Sequence, residues 1–301
     1  MIPHFPKFKK LELTDKEEIE KINVKYSPYS DFNFVSMWSW DIKGEMRISQ
    51  RYGNLVVRFT DYLTGEPFYS FLGNNKVNET TKELLELSKK EGLKLQLKLV
   101  PEDSLTGLDP NKFRAEEDRD HFDYLYSIPE LKNLEGSKFV RKRNQVAIFL
   151  RSYPSAETKI IDLKDKNIQG DIINLSLEWL KKKIELEGIF ESHEEVAISR
   201  LLLAINNCYL VGVGVFSNGK LIGFFINELT KSEYVVAHAS KVNKSFVGIN
   251  SFLMKKNAEV LFSFKKLIFN YEQDLGMENL RDAKTRFRPT QFLKKYKLTY
   301  H

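Results

Sequence analysis

The chain has 301 residues, and 47 Lys and Arg against 41 Asp and Glu leave a formal charge of +6. At roughly 100–200 residues per domain, this length suits one large domain or two ordinary ones. A hydrophobic share of 42% with 13% aromatics excludes intrinsic disorder, and a single Cys excludes a disulfide framework, a zinc ribbon and an iron–sulfur site.

The segment Met1–Lys10 holds two prolines and no apolar stretch, so it does not read as a secretory signal. Residues 12–25 predict a first helix, capped by Thr14 or Asp15 with acids in its first turn. An aromatic-rich stretch, Tyr29–Trp40, follows. Strands are predicted at 45–51, 54–60 and 67–72, with Gly53-Asn54 and Thr64-Gly65 as turns. Residues 78–91 predict an amphipathic helix stopped by Gly92, and the alternation over Leu93–Val100 predicts a half-buried strand. Residues 102–121 are polar, a short strand is predicted at Phe122–Ser127, and a helix at 129–144.

The second half repeats this style. Helices are expected at 169–186 and 192–207. Strands 209–216 and 221–228 are joined by Asn218-Gly219, a strong hairpin signal, and a strand at 233–241 completes a meander. A helix from Gly248 to Phe262, a strand over Lys266–Tyr271 and a helix near 276–285 precede a basic tail. The most apolar runs, Tyr209–Phe216 and Leu221–Ile226, are far below the ~20 residues of a membrane-spanning helix. A cytoplasmic protein is expected, with enough positive charge to sit peripherally at the inner face of a membrane or against nucleic acid. Two α+β halves of similar size predict an architectural duplication without a residue-level repeat, divided as 1–145 and 146–301.

Few residue patterns carry chemistry. The five histidines, His4, His121, His193, His238 and His301, include no helical i, i+4 pair, so no metal is expected. Cys208 precedes an apolar strand and reads as a small buried hydrophobe. Gly212-Val213-Gly214 lies inside a strand and suits strand packing, not a dinucleotide. The segment Ser245–Ser251 follows a strand and opens a helix, so amides around Gly248 and Asn250 could receive an anion or simply start a helix. His238, among Val235, Val236, Ala237 and Ala239, could serve as a neutral base or be a satisfied buried imidazole. In Asn270–Gly276, Glu272 and Asp274 project to one side if the strand continues. They could then bind an amine or act as a base, or Asp274 could be a helix N-cap. Arg281, Lys284, Arg286 and Arg288 form one basic cluster, and Lys138, Arg141, Lys142 and Arg143 a second. Each suits an anion or a solvated face.

Taken together, these segments resemble the family of the phosphatidylglycerol lysyltransferase C-terminal domain, tandem GNAT-like proteins related to Fem-type peptidyl transferases. The resemblance rests on Tyr29–Trp40, Phe122–Tyr126, Leu134–Lys138 with Lys142-Arg143-Asn144, His238, Gly248 with Asn250, Asn270–Gly276, and Leu280-Arg281 with Lys284 and Pro289. It implies two GNAT-like α+β acyltransferase domains with the site in the second. It also implies that Lys284 and Arg286, in Lys284-Thr285-Arg286-Phe287-Arg288-Pro289, are donor or phosphate contacts, and that Glu272 and Asp274 meet an acceptor amine. Ser245, Gly248 and Asn250 align with the Gln/Arg-x-x-Gly-x-Gly/Ala loop of acyl-CoA enzymes of this fold, with Asn250 in place of the second Gly. Asn250 would crowd the approach of phosphate to backbone amides.

The expected function is therefore transfer of an aminoacyl group, from aminoacyl-tRNA, to an amine or hydroxyl of a small molecule, peptide or lipid headgroup. No tightly bound cofactor is expected. The catalytic candidates are His238, Glu272 and Asp274. The donor candidates are Gly248, Asn250, Lys284 and Arg286, with Lys142 and Arg143 as further basic contacts. The alternatives are an N-acyltransferase using acyl-CoA and a non-catalytic module binding RNA or an anionic surface.

Overall fold

The structure, a computed structural model, describes residues 1–61, 64–187 and 193–301. A short strand β1 (Lys9–Lys10) and helices α1 (Lys16–Asn23) and α2 (Phe34–Trp40) lead into a meander of β2 (Arg47–Arg51), β3 (Asn54–Thr60) and β4 (Pro67–Leu72). Helix α3 (Val77–Lys90) crosses over to β5 (Leu97–Pro101), and β6 (Phe113–Glu117) follows. Next come β7 (Asp123–Ser127), α4 (Ile128–Asn133), α5 (Val140–Ser152), β8 (Glu157–Ile161), α6 (Lys166–Glu187) and α7 (Glu194–Leu203). A second meander, β9 (Leu210–Ser217), β10 (Lys220–Leu229) and β11 (Tyr234–Val242), is followed by the crossover helix α8 (Ile249–Ser263) and β12 (Ile268–Asn270). The chain closes with α9 (Glu278–Thr285), β13 (Gln291–Leu293) and β14 (Lys295–Tyr300).

These elements form two compact units. One comprises Met1–Asp123, Gln273–Arg281 and Phe292–His301, the other Tyr124–Glu272 and Asp282–Gln291. The chain thus passes between units at Asp123 and Tyr124, where the sequence placed a division at 145 and 146, and it returns to the first unit twice near its end.

In the first unit the strands run β1-β2-β3-β4-β5-β14-β6, with β4 and β5 the parallel pair. In the second they run β7-β12-β11-β10-β9-β8, with β11 and β12 parallel. Each unit has an antiparallel meander, then a helical crossover, because a parallel neighbour cannot be reached by a tight turn. The two sheets are mixed and the class is α+β, as expected. Beyond each crossover strand the sheet borrows from the other half of the sequence: β14 pairs β5, and β7 pairs β12, both antiparallel.

Local chemistry explains the elements. Asn218 and Gly219 both take positive φ, as a two-residue hairpin turn requires, and Ser217 faces Lys220 across it. The single helix expected at 129–144 is instead two. Leu134 and Gly136 adopt left-handed backbone after α4, a 3-10 turn spans Ser137–Phe139, and α5 restarts at Val140. The expected helix at 192–207 is α7, shorter at both ends, and Ser192 lies outside the described residues. The tail, read as merely basic, supplies β13 and β14. No helix among the described residues is long and apolar enough to cross a membrane.

Candidate active site

Strand β10 is apolar, and Glu228 near its end is buried, at 6% exposure. An acid in such a strand needs a partner. It finds His238 on the neighbouring strand: His238 Nε2 lies 3.1 Å from Glu228 Oε2, and its Nδ1 lies 3.4 Å from Glu272 Oε1. The register of β10 and β11 shows how His238 is aimed. Ile226 faces Ala239 and Asn227 faces Ala237, so His238 is the extra residue of a β-bulge.

Glu272 reaches this place by a turn. Strand β12 stops at Asn270, and Glu272 has a φ of 54°. Its amide donates to Asn270 Oδ1 at 2.8 Å, and its carbonyl accepts the Tyr124 amide at 3.1 Å. The parallel β11–β12 ladder runs only from Tyr234 and Ile268 to Val236 and Asn270. Past that point the strands are joined by side chains instead. His238 meets Glu272, and Ser240 Oγ and Tyr271 Oη share a hydrogen bond of 2.8 Å. Beyond Val236, no backbone ladder lies on the β12-facing edge of β11 among the described residues.

Burial by itself would lower the His238 pKa, but hydrogen bonds and charge from Glu228 and Glu272 outweigh it and raise it to about 9. His238 is therefore an imidazolium at neutral pH, not the neutral base considered from sequence. With both carboxyl groups ionised, the trio carries one net negative charge. Both ring nitrogens are engaged, which leaves none for a metal. Burial also pushes the Tyr271 hydroxyl up to about 12. Glu228, Ser240 and Tyr271 were missed from sequence, although an acid inside an apolar strand was a legible signal.

Asp274 does not join Glu272. It is wholly buried in the first unit, where its Oδ1 accepts from Arg281 Nη2 at 2.9 Å and its Oδ2 from Arg281 Nε at 3.0 Å. Arg119 adds a contact of 3.3 Å, and the Gly276 amide donates to Oδ1 at 2.9 Å. Positive φ at Glu272 breaks the extended path that would have placed both acids on one side. Asp274 is also not the N-cap of α9, which begins at Glu278.

Lys284 is buried, at 5% exposure, donating to the Tyr271 carbonyl with Nζ 4.6 Å from the centre of that ring. Arg286 is exposed and pairs with Asp282 at 3.1 Å. Arg143 has a structural use: its Nη1 donates to the Gly136 carbonyl at 2.8 Å and also to the Leu134 carbonyl, closing the break between α4 and α5. Lys142 is buried on the same helix, against Phe287.

Gly248 and Asn250 open α8, with Asn250 exposed. Four amides at this helix start have acceptors within the chain. Ser245 and Phe246 donate to Asn243, Val247 to the Tyr153 hydroxyl, and Ile249 to Phe246. A Cβ on Gly248 would sit 2.2 Å from the Gln145 carbonyl oxygen, at a φ of +85°. This glycine admits α5, whose Phe149 stacks on Phe252 with ring centres 4.4 Å apart. Gly248→Ala is expected to cost about 2 kcal/mol or more, measured by denaturant unfolding. The loop before α3 is filled likewise: Gly73 and Asn75 donate to Ser104 and Asn54 side chains.

Residues 25–299 match the family model for the C-terminal part of phosphatidylglycerol lysyltransferase. A conserved protein of unknown function from Bacteroides thetaiotaomicron is 26% identical over all of both chains, with a TM-score of 0.85. The structure of L-PGS from Bacillus licheniformis superposes with a TM-score of 0.63 at 13% identity, over 97% of this chain and 92% of that one. A tandem GNAT protein from the clavulanic acid biosynthesis pathway gives 0.50 at 11%, over 98% of each. The fold is thus a tandem GNAT-like one. No curated protein sequence matches the chain.

Proposed function

Since the chain belongs to the phosphatidylglycerol lysyltransferase C-terminal family, we propose that it is an acyltransferase that moves an aminoacyl group from aminoacyl-tRNA to an amine or hydroxyl acceptor. The carrying observation is the buried Glu228–His238–Glu272 trio, set at a bulge where β11 and β12 part. Its net negative charge suits an ammonium, either the acceptor's amine or the amino group of the donor.

An aminoacyl ester is already activated, so the protein has mainly to position it and stabilise charge. The acceptor attacks the ester carbonyl carbon, and a tetrahedral oxyanion forms. Amides on the open edge of β11 are the proposed donors to it. Glu272, the most accessible of the trio with 19% of its side chain exposed, takes the acceptor's proton. That proton passes to the ribose oxygen as the ester bond breaks. His238 holds Glu272 in place, and Glu228 holds His238. Lys284 and Arg286 lie on the donor side. Asp274 has no part in this mechanism, being fully engaged by arginines. The engaged amides of Ser245, Phe246, Val247 and Ile249, with the side chain at Asn250, support an ester donor over acyl-CoA, whose pyrophosphate is held by free amides at a helix start.

The test is a binding comparison of aminoacyl-tRNA, deacylated tRNA and acetyl-CoA at two salt concentrations. Tighter binding of the aminoacylated form and none of acetyl-CoA is expected, followed by an acceptor screen across amines, peptides and lipid headgroups. Equal, steeply salt-dependent binding of both tRNAs would mean a basic surface that reads only phosphate, and would overturn the proposal.

A further inference from the structure

Lys142 is 8% exposed, and its Nζ stands 3.6 Å from the centre of the Phe287 ring, which is itself buried at 2%. A buried ammonium is costly unless an anion pairs with it, and a ring face offsets only part of that cost. The charges acting on Lys142 are those of Arg141, Arg286 and Arg288, and no carboxylate is among them. Burial first, then these three guanidiniums, hold the Lys142 amine down to about 8.

The surrounding cations are held in place by backbone. Arg141 lies one residue before Lys142 on α5. Arg288 closes a turn with a φ of 60°, its amide donating to Thr285 at 2.9 Å. Thr290 then ties the segment to β7 through two hydrogen bonds to the Leu125 carbonyl. Among the described residues no ion pair joins Arg141 or Arg288 to a carboxylate, and Arg286 has Asp282. The contact of Lys142 with Phe287 brings α5, with Arg141, to the segment in which Arg286 and Arg288 flank that ring.

We infer that Lys142, Arg141, Arg286 and Arg288 form a binding site for a phosphate group, with the ammonium as its buried member. Guanidiniums present paired donors that match phosphate oxygens, and a tetrahedral anion with several oxygens can satisfy donors from both α5 and the 286–288 turn. The site is made of side chains and uses none of the amides at the α8 start. It stands on these side chains alone. That the phosphate belongs to the tRNA donor rests on the function proposed above.

The experiment uses the full chain, with inorganic phosphate and pyrophosphate as probes at constant ionic strength set by chloride. Calorimetric titration and thermal unfolding are run on the parent, Lys142→Met and Arg288→Gln. Both probes should bind the parent and raise its unfolding temperature. Lys142→Met should abolish the effect, and Arg288→Gln should weaken binding by about tenfold. Without phosphate, Lys142→Met should unfold no earlier than the parent, since it removes an unpaired buried charge and keeps the volume. No response in the parent, or an equal response in Lys142→Met, would overturn the site. Competition by deacylated tRNA separates the two claims: if phosphate binds and tRNA does not displace it, the site stands and the tRNA donor fails.

Discussion

Lys295→Met is expected to lower stability by about 3–5 kcal/mol, and the unfolding midpoint by roughly 10 °C. Lys295 is wholly buried on β14. It pairs with Asp31 and, at 2.6 Å, with Asp123, both also buried. Asp123 in turn accepts from the Ser30 amide at 2.7 Å and the Ser30 hydroxyl at 2.6 Å. Removing the cation leaves two carboxylates without their counter-charge in the interior of the first unit. The pH dependence has a definite sign. Burial already raises the Asp31 pKa against the pull of Lys295, so the native state holds its proton more tightly than the unfolded chain. Such a group contributes less stability as pH rises. Without Lys295 the rise is larger, so the deficit of Lys295→Met should be greatest at neutral pH and shrink in acid. Denaturant unfolding across pH measures it. A variant within about 1 kcal/mol of the parent at neutral pH would show that this ion cluster is solvated and of the surface kind.

The second large effect concerns His238. Replacement by Gln is expected to reduce the proposed aminoacyl transfer by about 100-fold or more, because Glu272 loses the cation that orients it. His238 titrates near 9 in the folded state, above its ordinary 6.5. Its contribution to stability is therefore fully present below about pH 6.5 and is lost as pH rises through about 9. In Glu272→Gln one of the two carboxylates disappears, so the His238 midpoint should move to lower pH. Resonances of the His238 ring, followed through a pH titration, report this without any assay of turnover. A midpoint near 6.5 in the parent would remove the charged trio, and with it the basis of the proposed mechanism.

Several features of this protein were legible in local residue patterns. The meanders at 47–72 and 210–242 follow from alternation and from Asn218-Gly219, since strand period and turn backbone are local matters. The crossover helices α3 and α8, and the motif-bearing segments that point to the family, are local in the same sense. His238 and Glu272 were named from their neighbours in sequence, and the structure brings them together. Arg143 was also named, but its Nη1 donates to the Leu134 and Gly136 carbonyls, because a helix expected to be continuous is broken there.

The sequence by itself determined the class, the two meanders with their crossover helices, and the family. Only the tertiary structure decided which acids share a site. Glu272 and Asp274 are two residues apart in sequence, yet with left-handed backbone at Glu272 one meets His238 and the other Arg119 and Arg281. It likewise decided that a basic tail is a strand with a buried lysine, and that each unit is completed by a strand from the other half of the chain. These outcomes depend on pairing between residues on different elements, as His238 with Glu272 or Lys295 with Asp123. Periodicity within a window of ten or fifteen residues carries no record of such partners.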